Sequence, residues 1–586
     1  MKTLFLHPED SPRRGPWTAK KWDCIVDLGK CSASTAADWQ RLTGSSVLRL
    51  SDFQKNIEDP RSVGQILRRG FGQLRDQLGL DWWELTCLFI HPALETAIAI
   101  RRMATEIRLT GELYATRSAW PVRGMAQLLG REIQSFLGDG EGLSEKARRL
   151  SSTLRRLSPG QVLEVLWDKY DADYRWRARL VRPRAPCRRP VVLLPSAYTN
   201  VSRAAGAFAG LLPEQEFLLV ATRKSGLRFD CPPNVATARL EEYAGPNDGG
   251  REFAELDENW SRLQSHLTDV PEMAMLASAG NLGPIQGLVR TGLAVRNAWA
   301  QVFEREPVTA VLCGDDSNWF TRIPVLLAAK RNLPTVDFHH GAFDGRFLLK
   351  DLSSNAYVAK NAMERDYLLR VCGLPAERVV VSGLSPASGA GRQPALRAGN
   401  IVFFSEPYES AGSRPEEIYR ELLPPLCRVA VERGCRLLVK LHPFENASER
   451  ARLIETALGP GWRERVDVVS GPTTPGLLES AWFGIAVEST TLVDCARNHV
   501  PCFHCAWLVS NLFGYSEQYA RFGVGRLLRS GGELAAIPDM LAEGTQAGVA
   551  AGLESPPSPE LLRKLLAGGE PAVIGELHGR MQGRER

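Results

Sequence analysis

Apolar runs of four to six residues recur along most of the chain. Between them lie longer stretches in which apolar residues return every three or four positions. The short runs have strand length and the longer stretches have the helical period. Near the N-terminus the expected strands are Thr3–Leu6, Cys24–Leu28, Val47–Leu50, Cys87–Ile90 and Leu113–Thr116, with helices over Val63–Gln77 and Leu94–Ile107. A second series holds strands Val191–Leu194, Phe217–Thr222, Ala310–Cys313, Thr335–Phe338, Ala356–Ala359 and Val379–Ser382. Its helices are Glu255–Leu267, Leu288–Arg305 and Phe320–Arg331. The third series is the most regular. Strands Ile401–Phe404, Arg436–Leu441, Val466–Val469, Phe483–Val487 and Pro501–His504 alternate with helices Pro415–Arg433, Ala447–Leu458, Gly476–Ser480 and Thr491–Asn498. Strands separated by helices imply parallel sheets with right-handed crossovers.

Two stretches punctuate the pattern. Arg175–Arg189 holds seven arginines among prolines. It reads either as a solvated connector or as a patch facing anionic lipid or a phosphorylated substrate. Gly383–Gly399 is rich in Gly, Ser, Pro and Ala and marks a boundary. The expected organisation is an N-terminal α/β region (1–180), a second α/β unit (190–390), a third (400–545) and a tail (546–586) with one helix at Pro559–Leu566.

Composition changes this picture little. The 586 residues are 44% hydrophobic and 24% charged, ordinary for a chain with a large core. A net charge of +5 is too small to argue for nucleic acid. No run approaches the ~18 apolar residues of a membrane span. Met1–Leu6 runs straight into His7, Pro8, Glu9 and Asp10, which leaves no signal-peptide core. A cytoplasmic protein is expected, with peripheral contact at the inner membrane face as an open addition. The twelve cysteines are scattered and lie mostly in apolar runs, so reduced buried thiols are expected.

The candidate chemistry gathers where strands end. In a parallel sheet the carboxyl ends share one edge, and ligands bind there. Ser405 and Glu406 follow the first strand of the third series, His442 and Pro443 the second, and Glu488, Ser489, Thr490 and Thr491 the fourth. An imidazole and hydroxyls beside free amides can seat a phosphate. Glu488 can accept from a sugar hydroxyl, for instance on ribose. Each residue also has an ordinary alternative: a histidine satisfied by backbone, Ser and Thr as helix caps, a solvated acid. In the second series Gly314-Asp315-Asp316 follows one strand and His339-His340-Gly341 another. His340, Asp315 or Asp316 can act as general base toward an acceptor hydroxyl. Helix capping is the alternative for the Asp pair.

Other signals are missing or weak. There is no GxxxxGK[ST], no strand-linked GxGxxG and no HExxH. Asp171-Ala172-Asp173 spells DxD but sits in a charged stretch. Cys495, His499, Cys502, His504 and Cys505 have zinc-ligand chemistry, yet a strand over Pro501–His504 sends alternate side chains to opposite faces. No metal and no cofactor are expected.

Two α/β units facing across a cleft resemble the GT-B glycosyltransferase architecture. Leu441-His442-Pro443 and Glu488-Ser489-Thr490-Thr491 are similar to the HP and S/T motifs of bacterial sialyltransferases and capsule-polysaccharide transferases. The resemblance implies that His442, Ser489 and Thr490 contact the phosphate of a CMP-activated sugar. The same features with His340-Gly341 resemble CDP-glycerol glycerophosphotransferases, in which the histidine of that pair is the base. The runs Thr335–Ala342, Asn355–Lys360 and Arg378–Gly383 also resemble UDP-GlcNAc 2-epimerase-like proteins and surface-carbohydrate synthesis proteins; the epimerases carry an acidic residue where this chain has His339-His340-Gly341. The resemblance covers about residues 300–510. It implies two facing Rossmann-like domains of GT-B type with an additional N-terminal α/β region. It further implies a metal-independent transferase of bacterial surface polysaccharide synthesis. The expected partners are a CMP-, CDP- or UDP-linked donor and a glycan or lipid-linked acceptor. A polyol-phosphate transferase, an epimerase-like enzyme and a non-catalytic scaffold are the alternatives.

Overall fold

The computed structural model describes residues 1–137, 184–384, 399–543, 553 and 555–569, except for 9, 11, 30, 32, 55–63, 67–73, 108, 246–249, 351, 409–413, 444 and 510–512. Three parallel sheets run in chain order. The first contains β1 (Lys2–Leu6), β2 (Cys24–Asp27), β3 (Val47–Arg49), β4 (Glu112–Arg117) and β5 (Gln134–Leu137), in the order β3-β2-β1-β4-β5. The second contains β6 (Val191–Ser196), β7 (Phe217–Ala221), β8 (Val235–Arg239), β9 (Val308–Cys313), β10 (Thr335–Asp337), β11 (Ala356–Ala359) and β12 (Val379–Val381). Its order is β12-β11-β10-β9-β6-β7-β8. The third contains β13 (Asn400–Phe404), β14 (Leu437–Lys440), β15 (Val466–Val469), β16 (Ala481–Ala486), β17 (Cys502–Cys505) and β18 (Arg526–Leu528). Its order is β15-β14-β13-β16-β17-β18. The expected class, α/β with two doubly wound units and a further N-terminal α/β layer, is the one observed.

In each sheet the strand order reverses about its first strand. The reversal lies between β1 and β4, between β6 and β9, and between β13 and β16. Chain crossovers leave in opposite directions there and open a crevice at the strand ends. These three places are where the candidate chemistry has to be judged.

One strand expectation fails. Cys87–Ile90 lies inside a helix, Trp82–Glu106. An apolar run of that length fits a buried strand or a buried helix turn equally well by pattern. The helix serves two cores. Trp82, Leu85, Ile90 and Leu94 pack with the second sheet, whereas Ala97, Ala99, Ile100 and Met103 pack with the first. The expected helix over Val63–Gln77 falls mostly outside the described residues. Within it, 64–66 are helical, whereas Leu74–Gln77 is not, and Arg75 bridges to Asp81. Strands β5, β8 and β18 and the helix Thr199–Gly210 have no counterpart among the expectations. The Asp171-Ala172-Asp173 motif lies outside the described residues, as does 175–183 of the arginine stretch.

The helix Pro559–Leu566 follows the third sheet in sequence but packs on the second. Leu561, Leu562, Leu565 and Leu566 are buried against Val192, Leu194, Leu312 and Val336. The returning chain is pinned by Gly383 N–H to the Pro556 carbonyl (3.1 Å) and Ser558 N–H to Ser382 Oγ (2.9 Å). Leu562 is fully buried. Leu562→Ala is expected to cost about 2–5 kcal/mol, through lost transfer energy and the cavity left behind. Denaturant unfolding checks this, and a loss below ~1 kcal/mol would mean the helix is not docked.

Candidate functional site

At the second sheet's reversal, β6 hands over to Ser196-Ala197-Tyr198 and β9 to Gly314-Asp315-Asp316. The Tyr198 hydroxyl donates to Asp315 Oδ2 at 2.9 Å, which joins the two exits. Asp315 is buried, and its Oδ1 has no hydrogen-bond partner among the described residues. β10, next to β9, leads into His339-His340-Gly341. His340 Nδ1 lies 3.1 Å from the Gly314 carbonyl. A carbonyl only accepts, so Nδ1 carries the proton and the Nε2 lone pair is left for other work. A Cβ at Gly341 would stand 3.1 Å from His339 Nε2. The glycine therefore makes room for the neighbouring ring.

The two aspartates separate in role. Asp316 is buried and ion-paired with Arg322 (2.5 Å) and Lys350 (3.1 Å). Arg322 reaches on to Glu84 of the Trp82–Glu106 helix. Lys350 also meets Asp344 at 3.3 Å, and Ser317 Oγ donates to Asp344 at 2.8 Å. With both oxygens held, Asp316 is a brace and is not presented as a base. Capping does not explain the pair either: Asn318 caps the helix Trp319–Lys330, accepting from Phe320 N–H. Burial raises the Asp344 carboxyl, but Lys350, then His339 and Arg346, outweigh it and hold the group below the usual carboxylate range. Burial lowers the His339 imidazole well below its ordinary value, and His340 adds to the effect.

On the third sheet the reversal brings together the exits of β13 and β16. Glu488 N–H donates to Glu406 Oε2 at 3.2 Å. Burial pushes the Glu406 carboxyl up to about 7, against the pull of that N–H. At the end of β14, His442 is half-buried and Pro443 exposed. Burial lowers the His442 imidazole; Glu445 opposes this and Lys440 adds to it. The hub here is Glu445, which sequence reasoning missed. It accepts from His442 N–H (2.7 Å), from Ser405 Oγ (2.7 Å) and from Arg450 Nε (2.6 Å). Its only sequence signal is a carboxylate three residues past His442, just ahead of the capping Asn446. The exposed Thr490 is the helix cap position but makes no side-chain cap bond. Ser489 Oγ instead receives the Thr491 N–H at 3.4 Å and lies 3.2 Å from Thr491 Oγ1. The helix that follows, Thr491–Arg497, has seven residues. Local amides and hydroxyls must therefore do the binding work there, with little help from a macrodipole.

The zinc-like residues have other partners. His504 Nε2 meets the Val524 carbonyl at 2.8 Å and its ring stacks on Tyr519 at 5.2 Å. Cys502 Sγ faces the Leu492 carbonyl.

The second and third sheets meet through the loop after His340-Gly341. Gly345 N–H donates to the Tyr515 hydroxyl at 2.8 Å, and the Tyr367 hydroxyl donates to the Phe513 carbonyl at 2.7 Å. Phe343 packs among Tyr367, Tyr515 and Tyr519. Burial raises the Tyr515 hydroxyl, and both Asp344 and Glu488 add to it. One phenol thus feels a carboxylate from each side. The first sheet docks on the third through Arg414, which bonds the Asp10 carbonyl (3.2 Å) and Asp27 (3.4 Å).

No protein-family model and no curated protein matches the chain. Solved structures with a similar chain course include the UDP-GlcNAc 2-epimerase of Methanocaldococcus jannaschii, with 10% identity over 65% of this chain and 100% of that one, TM-score 0.41. The Neisseria meningitidis UDP-GlcNAc 2-epimerase bound to UDP-GlcNAc is 12% identical over 67% and 100%, TM-score 0.38. A UGT transferase from Siraitia grosvenorii in complex with UDP is 12% identical over 68% and 100%, TM-score 0.39. Likeness of this size assigns neither a reaction nor a residue.

Proposed function

We propose that the chain is a glycosyltransferase that uses a nucleotide-activated sugar in surface polysaccharide synthesis. The observation that supports this reading is the Gly345–Tyr515 contact, which joins two sheets that each carry a polar strand-end site. One offers an oriented imidazole (His340) beside a buried carboxylate (Asp315). The other offers His442, the Ser489 and Thr491 hydroxyls and two acids. The donor phosphate would lie against His442 and Ser489–Thr491. Glu488 suits a hydroxyl of ribose or sugar, and Glu406, raised to about 7, can face either a hydroxyl or, when protonated, a phosphate oxygen. Hydrogen bonds to the leaving phosphate lower the barrier where its charge develops. His340 Nε2, or Asp315, takes the acceptor's proton.

Nucleotide binding tests the reading first. CMP, CDP or UDP is expected to raise the melting temperature, and no shift with any of them would remove its support. The pH dependence has a sign. His442 is lowered in the free protein. A bound phosphate would raise it, so binding takes up a proton between the two values. Affinity is expected to weaken as pH rises through that window. His442→Gln shares the ligand's own titration and should lack the ring's part of the slope.

One observation favours a second reading, a hydrolysing epimerase. The acid that those enzymes carry in the His-Gly turn is absent from the turn, but Asp315 supplies a carboxylate beside the histidines from β9. Incubation with nucleotide sugars and no acceptor separates the two: an epimerase releases free sugar and nucleotide unaided. Among the described residues no helix is long and apolar enough to cross a membrane. Peripheral membrane contact and a lipid-linked acceptor belong to the proposal.

A further inference from the structure

His339 and His340 are neighbours in sequence, and neighbours in an extended chain point to opposite faces. Here they follow the end of β10, and their rings sit 4.6 Å apart between centroids. One ring nitrogen of each and one carboxylate oxygen of Asp315 lie within 4.8 Å of one another. These residues come from two different strand exits, β9 and β10, at the reversal of the second sheet. Two further observations point to a ligand. Asp315 is 1% exposed, and its Oδ1 has no partner among the described residues. A buried carboxylate oxygen without a hydrogen-bond donor is costly; the Arg346 guanidinium offsets the charge of Asp315 through space without bonding this oxygen. In addition, the outer contacts are those of a metal site. His340 gives its Nδ1–H to the Gly314 carbonyl, and Asp315 Oδ2 is held by the Tyr198 hydroxyl. Metal-ligating histidines are fixed in this way by a backbone carbonyl, and ligating carboxylates are themselves hydrogen-bonded.

We infer that Asp315, His339 and His340 form a binding site for a divalent first-row transition ion of the zinc class. Two imidazoles and one carboxylate leave at least one coordination position open, as catalytic sites do. The ion would sit at the exits of β9 and β10 in the second sheet, whereas His442 follows β14 of the third. Resting on the transferase reading, the ion would take the acceptor's hydroxyl oxygen into that position and make the hydroxyl more acidic, its proton passing to solvent water because Asp315 and His340 are then ligands and not bases. His340 would then be a ligand. The donor phosphate would still need no metal.

The site is tested on the full-length chain, stripped with chelator and then given Zn²⁺ or Co²⁺ alone. One equivalent is expected to survive gel filtration, and Co²⁺ should give visible d–d bands. His339→Ala should lose the bands. Tyr198→Phe, which keeps every ligand, should weaken binding by about 10–100-fold. Binding unchanged in both variants would assign the metal to thiols such as the exposed Cys231 and overturn the inference. So would the absence of stoichiometric binding. His442→Ala should keep the ion while losing nucleotide affinity. If nucleotide binds and the ion does not, this inference fails and the transferase reading stands. If the ion binds and no nucleotide does, the transferase reading fails and the metal site stands.

Discussion

His442→Ala should lower sugar transfer by about 10²–10³-fold, the usual cost of removing one donor aimed at developing charge. The ring sits at the end of β14, and its backbone N–H is fixed by Glu445. That backbone bond to the Glu445 carboxylate survives removal of the imidazole. Unfolding stability should stay within about 1 kcal/mol of the parent, because the side chain is only half-buried. Glu445→Ala separates the two functions. It leaves Arg450 and Ser405 without their shared acceptor, so it should lower stability and transfer together. A His442→Ala variant with parental turnover would end the site assignment.

Lys350→Met should cost about 3–5 kcal/mol of stability, the range for breaking a buried ion pair from one side. Lys350 has no exposed side-chain surface and stands between Asp316 and Asp344, themselves 2% and 4% exposed. Arg322 still serves Asp316 in the variant, so the larger burden falls on Asp344. The pH dependence follows from the sign of its shift. In the parent, Asp344 is held below the usual range, so it adds stability above the unfolded value near 3.9 and loses it as pH falls. Without Lys350 the largest influence holding the group down is gone, so it moves up from its low value, with His339, Arg346 and Ser317 left against burial. The variant then carries a buried charge at neutral pH that protonation relieves. The stability gap should be widest near neutrality and close progressively as pH falls from about 4 through the parent's lowered Asp344 value, measured by urea unfolding across pH. A gap independent of pH would show that the loss is one of packing alone.

Much of the fold is legible in the chain. The third sheet lies close to its pattern, β18 apart, because β13, β14, β16 and β17 are short, largely buried runs. Val466–Val469 and Ala447–Leu458 coincide with their elements. Cys87–Ile90 fails because an apolar run does not record its own period. β5 and β8 are missed because Gln134–Leu137 and Val235–Arg239 interleave exposed residues with few apolar ones. For the site, the strand exits could be picked out, but their partners could not. Tyr198 is 117 residues from Asp315 and Tyr515 is 170 from Gly345. No local spacing relates them.

The sequence by itself determined an α/β chain with parallel sheets and polar groups at the strand ends, since period and punctuation are local properties. Only the tertiary structure decided which of those ends meet. Strand order puts the reversals at β6/β9 and β13/β16. It thereby separates Asp315, which faces the histidines, from Asp316, which is consumed by Arg322 and Lys350. Adjacent residues of one type acquired opposite roles because burial and charge pairing depend on long-range packing, which neighbours along the chain do not fix.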